Sequence, residues 1–81
     1  MTPTTAIVCG ARVDYNVNMR LLPEPDAEVL VVIPYETVVE ISGQTEAGDW
    51  WFTRYEDQWG WLDGEFISLD TDCARAPVLT P

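Results

Sequence analysis

The chain has 81 residues and a net charge of −10, because 14 Asp and Glu residues stand against four Arg and no Lys. A chain of this length predicts one small domain with little room for a deep, enclosed active site. The acidic charge disfavours phosphate backbones and anionic lipid surfaces, so we expect no nucleic-acid partner. No stretch approaches the roughly 20 apolar residues of a membrane span, so we expect no membrane insertion. Neutral sugars, amines and cationic peptides remain compatible ligands.

The two ends of the chain have the composition of linkers. TPTT near the start and APVLTP at the end combine Thr with Pro, which favours extended backbone. We predict a linker over residues 1–7, one folded domain over 8–73 and a Pro-containing linker over 74–81. The first residues do not have the pattern of a secretory signal, so we expect neighbouring domains in a longer chain.

Short apolar runs, separated by Pro, Gly and acidic residues, predict an all-β fold. No segment of a dozen residues has convincing helical periodicity. The expected strands, in chain order, are residues 7–13, 15–20, 29–34, 37–42, 50–55, 59–62 and 67–69. A single 3-10 turn over residues 63–66 precedes the last strand. The expected fold is a small barrel or sandwich of five to seven short strands.

The two cysteines bracket these strands, since Cys9 lies near the first and Cys73 follows the last. They form either a disulfide or two free thiols. A zinc site lacks ligands, because the chain has no His and no further Cys. We predict the disulfide, which indicates an oxidising, extracytoplasmic setting.

Four segments, in their order and spacing, resemble the bacterial SH3-like (SH3b) domain family. They are Val17-Asn18-Met19-Arg20 with Pro23, the run 29–34, Gly48-Asp49-Trp50-Trp51, and Gly60-Trp61-Leu62. The flanking cysteines and the Ala-Pro-Val after Cys73 resemble SH3-like repeats of bacterial extracellular proteins. Departures from the family pattern include Glu36, where a turn glycine is usual, and Leu21-Leu22, where Ser-Gly is usual. The resemblance implies a small SH3-like barrel in a secreted or surface bacterial protein.

Strand alternation divides the four tryptophans between two faces. With Glu56 and Asp57 at a hairpin tip, Tyr55 pairs with Gln58, Arg54 with Trp59, Thr53 with Gly60, Phe52 with Trp61 and Trp51 with Leu62. The resemblance assigns the Thr53 face to the core. An outer face then carries Phe52, Arg54, Trp59 and Trp61, with a cation–π contact of Arg54 over Trp59. Such a face is covered either by the chain's own termini, through Ile7, Val78 or Leu79, or by a partner.

The resemblance implies a non-catalytic module that binds a cell-wall peptide, a glycan or a protein segment. The candidate ligand-binding residues are Trp50, Tyr15, Phe66, Tyr35, Glu24, Asp26 and Glu28. The alternative function is a structural spacer that docks neighbouring domains or a partner through Phe52, Arg54, Trp59 and Trp61. We expect no enzymatic activity, because a chain without His has no Ser-His or Cys-His pair, and we expect no cofactor and no metal.

Overall fold

Seven short strands organise residues 9–80, the part of the chain that the computed structural model describes. They are β1 (Cys9–Val13), β2 (Val17–Arg20), β3 (Val29–Ile33), β4 (Val38–Gln44), β5 (Trp50–Tyr55), β6 (Gln58–Asp63) and β7 (Ile67–Leu69). A 3-10 turn, Gly64–Phe66, precedes β7, and a second, Thr71–Arg75, follows it. The predicted all-β class and the 3-10 turn before the last strand are confirmed. The predicted linker over residues 1–7 lies outside the described residues.

The strands form one antiparallel sheet in the order β3-β2-β6-β5-β4-β1-β7. Within residues 9–80 no ladder joins β3 to β7, so the barrel expected from the sequence is not closed by a continuous set of hydrogen bonds. All seven strands nevertheless contribute to one apolar cluster, which means that the sheet wraps around a single core. Its buried members are Cys9, Ala11, Val13, Val17, Met19, Ile33, Val39, Ile41, Trp51, Leu62, Ile67, Cys73 and Ala76.

The β5–β6 hairpin directs one polar residue, Thr53, and one glycine, Gly60, toward this core. The buried Thr53 hydroxyl donates to the Glu40 carbonyl at 2.6 Å, which satisfies it inside the sheet. Opposite Thr53, Gly60 leaves space for β2, because a Cβ there would lie 2.6 Å from Cγ of Met19 and 2.9 Å from the Arg20 carbonyl oxygen. The close approach of β2 to β6 therefore requires glycine at this position.

The β5–β6 hairpin has the register that alternation predicts. All five predicted pairs, from Tyr55 with Gln58 to Trp51 with Leu62, are confirmed. The tip residues Glu56 and Asp57 have φ of 51° and 66°. Two consecutive positive φ values correspond to a type I′ turn, which matches the twist of the flanking strands. The turn forms here without the glycine that it usually contains.

The predicted disulfide between Cys9 and Cys73 is confirmed. The two Cα atoms are 5.2 Å apart, and the sequence separation is 64 residues. Both residues are buried, and the bond joins the start of β1 to the second 3-10 turn. It therefore links the two ends of the described domain.

Residues 76–79, which we name the strap, lie along the end of β4. The Gln44 side chain donates to the Ala76 carbonyl at 2.8 Å, and its backbone N–H donates to the Pro77 carbonyl at 2.9 Å. In return, the Leu79 N–H donates to the Gln44 carbonyl at 2.8 Å. Because β1 begins opposite Ile41, the strap pairs backbone groups of β4 that β1 does not reach. Part of the segment assigned to a linker by composition thus packs on the domain.

Candidate functional site

Three aromatic side chains from separate parts of the chain line one open groove of about 440 Å³. Tyr15 comes from the loop after β1, Trp50 from the start of β5, and Phe66 from the end of the first 3-10 turn. The structure therefore brings together three of the seven residues proposed as ligand contacts. The full lining is Tyr15, Asn16, Val17, Asn18, Arg20, Pro25, Trp50, Asp63 and Phe66.

The first 3-10 turn holds Phe66 against Tyr15. Asp63 caps the turn, since its Oδ1 accepts the Glu65 N–H at 2.9 Å. The Asp14 N–H then donates to the Phe66 carbonyl at 2.9 Å, which fixes the loop after β1 beside the turn. The Tyr15 and Phe66 rings meet edge to face, with centroids 5.7 Å apart. These backbone contacts set the position of both rings before any ligand arrives.

Trp50 is buried, whereas Tyr15 and Phe66 are exposed, so the indole forms the base of the groove and the other two rings form its rim. The backbone of Trp50 is fixed on both sides. Its N–H donates to the Thr45 hydroxyl at 3.2 Å, and its partner across the sheet is Asp63, another lining residue. A ligand in the groove would meet a rigid aromatic surface.

Six lining residues were missed by the sequence analysis: Asn16, Val17, Asn18, Arg20, Pro25 and Asp63. Asn18 and Arg20 alternate with the buried Val17 and Met19, so strand periodicity alone indicates that they face away from the core. What the sequence did not show is that β2 pairs with β6, through Arg20 and Trp61. This long-range pairing places the outward side chains of β2 next to Asp63.

The other four proposed ligand contacts do not line the groove. Tyr35 is as exposed as Tyr15, at 59%, and its N–H donates to Oδ1 of the lining residue Asn16 at 2.9 Å, but Tyr35 itself does not line the groove. Glu24 and Asp26 are exposed on either side of the lining residue Pro25. Glu28 immediately precedes β3, and its carbonyl accepts the Leu21 N–H. These acids lie at the margin of the groove, where they contribute negative charge but do not line it.

Phe52, Arg54, Trp59 and Trp61, the outer aromatic cluster, do lie together on the face opposite the core. Phe52 stacks on Trp59 with centroids 5.2 Å apart and an interplanar angle of 14°, and it lies 4.9 Å from Trp61. The Arg54 guanidinium lies 5.8 Å from the Trp59 ring centroid, as predicted, and donates to Asp57 at 2.8 Å. Of the three rings in the cluster, Trp59 is exposed at 44%, Phe52 is half-buried and Trp61 is 3% exposed, whereas the Arg54 side chain is exposed.

The strap covers the sheet beside this cluster. A bulge in β4 turns Gly43 toward Phe52, and the Leu79 side chain occupies the space that a Cβ of Gly43 would take. Leu79 thus packs on β4 at Gly43, the strand partner of Phe52. Val78 is exposed instead, and Ile7 lies outside the described residues. Trp59 stays accessible in the presence of this cover.

Over residues 9–80, no three His, Cys, Asp or Glu side chains are grouped so that they could hold a metal ion. The two ion pairs within the described part of the chain, Arg12 with Asp14 and Arg54 with Asp57, both lie at the surface and contribute little to stability. No family model and no curated protein sequence matches this chain.

Proposed function

We propose that this domain is a non-catalytic binding module whose groove holds an extended peptide, a glycan or a protein segment. One observation supports this most directly: Tyr15, Trp50 and Phe66 converge on one open groove from three separate segments. Aromatic faces supply much of the affinity for apolar ligand surface, and fixed rings lose little entropy when a ligand binds. An open groove beside polar side chains suits a chain-like ligand better than a small enclosed substrate.

The charge of the module favours a neutral or cationic ligand. Asp63 lines the groove, and Glu24, Asp26 and Glu65 lie next to lining residues in the chain. The single lining cation, Arg20, donates to the Ala27 carbonyl at 2.8 Å. With a net charge of −10, the domain attracts basic groups, and this attraction weakens as salt screens it.

We place the module in a secreted or surface protein of a bacterium, next to other domains. The resemblance to SH3b domains suggests this setting and suggests cell-wall peptides or glycans as targets. The Cys9–Cys73 disulfide supports it, because such bonds persist in oxidising compartments and are rare in the cytosol.

The experiment is an NMR titration of the labelled domain with three kinds of probe: soluble peptidoglycan fragments, a lysine-rich peptide and a proline-rich peptide. We expect at least one probe to shift the amide and ring signals of Tyr15, Trp50 and Phe66 as one cluster. The shifts for a basic probe should shrink at about 0.5 M NaCl, where the screening length is only a few ångströms. If no probe moves these signals, groove binding of these ligand classes is wrong.

The second candidate function is docking through the outer aromatic cluster. The observation in its favour is that Trp59 stays 44% exposed although Phe52 and Arg54 pack against it. Exposed aromatic rings of this size on a sheet face are typical of contact surfaces between proteins. In that case the domain is a spacer that packs on its neighbours.

Sedimentation of the isolated domain and two matched variants separates the two functions. Docking predicts concentration-dependent association that Trp59→Ser abolishes and Phe66→Ser leaves intact. Groove binding predicts a monomer whose probe affinity falls with Phe66→Ser and is unchanged with Trp59→Ser. Both side chains are exposed, so neither variant is expected to unfold the core.

A further inference from the structure

The strand β3 forms one edge of the sheet, and within residues 9–80 it pairs with β2 alone. In an antiparallel strand, alternate residues direct their N–H and C=O groups away from the neighbour. On β3 these groups have no backbone partner among residues 9–80 and form an open hydrogen-bonding edge. Natural sheets usually protect such an edge with lysine, with proline, or with a covering segment.

Within the strand, β3 has no protection of this kind, since its sequence is VLVVI. It is also unusually accessible for an apolar strand: Val29 is 41% exposed and Val32 is 48% exposed. The other edge of the sheet differs, because β7 has only three residues. The 3-10 turn that follows β7 is also held by the disulfide through Cys73. The accessible backbone and apolar side chains of β3 therefore suit the addition of another extended strand.

The face of β3 that carries the Val32 side chain borders the groove. Val32 pairs with Asn18, a lining residue, so the two side chains lie on the same face of the sheet. A strand added along β3 would place every second side chain beside Val32. These side chains would border the groove without entering it. The edge is thus a separate surface whose occupation can be distinguished from that of the groove.

Acidic residues at both ends of β3 define the partner. Glu28 immediately precedes the strand and Glu36 follows it closely, and both side chains are exposed. A second copy of this chain, paired antiparallel on β3, would bring acidic ends against acidic ends. We infer that the β3 edge binds, by strand addition, an extended peptide segment that is apolar at its centre and basic at its ends.

The test uses three capped octapeptides: RTVTVTVR, its acid-ended counterpart ETVTVTVE, and RTVPVTVR, in which proline prevents regular strand pairing. We expect RTVTVTVR to shift the amide signals of residues 29–33 and to slow their hydrogen exchange. Its affinity should exceed that of ETVTVTVE by about tenfold at low salt, because opposite charges flank both ends of the paired strand. RTVPVTVR should leave these amides unprotected.

A matched pair of variants assigns the contact to the edge. Val32→Lys should weaken RTVTVTVR at least fivefold, whereas Val38→Lys should change its affinity less than twofold. Val38 is also an exposed valine, at 72%, but it lies on β4, which is paired on both sides. Because the two variants add the same charge, a difference between them measures the loss at the edge itself.

Four results would overturn the inference. Equal affinity for ETVTVTVE would show that the acidic ends do not select the partner. Shifts confined to Tyr15, Trp50 and Phe66 would place the peptide in the groove. This result would support the proposed function and would exclude the β3 edge as the binding site. A dimer of the free protein that Val32→Lys dissociates would assign the edge to a second copy. Slow exchange of all β3 amides in the dilute monomer would assign it to the chain's own residues outside 9–80.

Discussion

Removal of the Cys9–Cys73 bond is expected to cost at least about a third of the stability of this domain. The bond links residues 64 positions apart, so it restricts nearly the whole folded unit in the denatured state. For a loop of this length the chain-entropy model gives a loss of about 4 kcal/mol. Domains of this size have a total unfolding free energy of roughly 4–12 kcal/mol. We therefore expect the Cys9→Ala/Cys73→Ala variant to retain at most about 8 kcal/mol of unfolding free energy.

The assay is urea unfolding followed by tryptophan fluorescence, for the oxidised protein and for the double alanine variant. The unfolding free energy of a domain of this size falls by about 1 kcal/mol per molar urea, so a loss of about 4 kcal/mol lowers the midpoint urea concentration by roughly 4 M. Alanine is preferable to serine, since both positions are buried and a serine hydroxyl there would lack a partner. A midpoint shift below about 1 M would refute the view that this bond holds the ends of the domain together.

A second variant separates the bond from the strap that it helps to position. Gln44→Ala removes the side-chain hydrogen bonds to the Ala74 and Ala76 carbonyls and keeps the disulfide. We expect the unfolding free energy to fall by about 1 kcal/mol and the Leu79 amide hydrogen to exchange faster, because only the strap is released. If Gln44→Ala costs as much as removal of the disulfide, the strap rather than the covalent link dominates stability.

Three further changes test the local structure. Replacing Glu56-Asp57 by Asn-Gly should raise the unfolding free energy by about 1 kcal/mol in the same urea assay, because both positions have positive φ; a lower stability would contradict the type I′ turn. Gly43→Ala should displace the Leu79 side chain and speed exchange of its amide, and unchanged exchange would contradict their contact. Thr53→Val should cost about 1 kcal/mol of unfolding free energy through the lost hydrogen bond, and a neutral result would show that the buried hydroxyl contributes nothing.

The local features of the fold could be predicted from the sequence. The hairpin register follows from a two-residue tip and a side-chain period of two, which is why every pair from Tyr55 to Trp51 is correct. The disulfide follows from two cysteines that bracket the strands. The strap was missed, although Gly43 is a signal for it, since a glycine within a strand often marks the close approach of another segment.

The non-local features could not be predicted in this way. Alternation places Trp61 on the outer face but does not reveal its burial, because β2 lies beside β6 and Arg20 pairs with Trp61 from far along the chain. The same pairing determines which polar residues line the groove. Tyr15, Trp50 and Phe66 were proposed from a family resemblance, whereas Asp63 and Asn18 required the arrangement of the sheet.

Comparison of Tyr15→Ser with Tyr35→Ser tests the groove most directly. Both tyrosines are 59% exposed, so the two changes remove the same ring from equally accessible positions, but only Tyr15 lines the groove. Calorimetric titration should use whichever probe gives the largest NMR shifts among the peptidoglycan fragments, the lysine-rich peptide and the proline-rich peptide. We predict that Tyr15→Ser weakens binding about tenfold or more, as expected for loss of a central aromatic contact, and that Tyr35→Ser changes it less than about threefold. Equal losses, or a larger loss for Tyr35→Ser, would contradict the account.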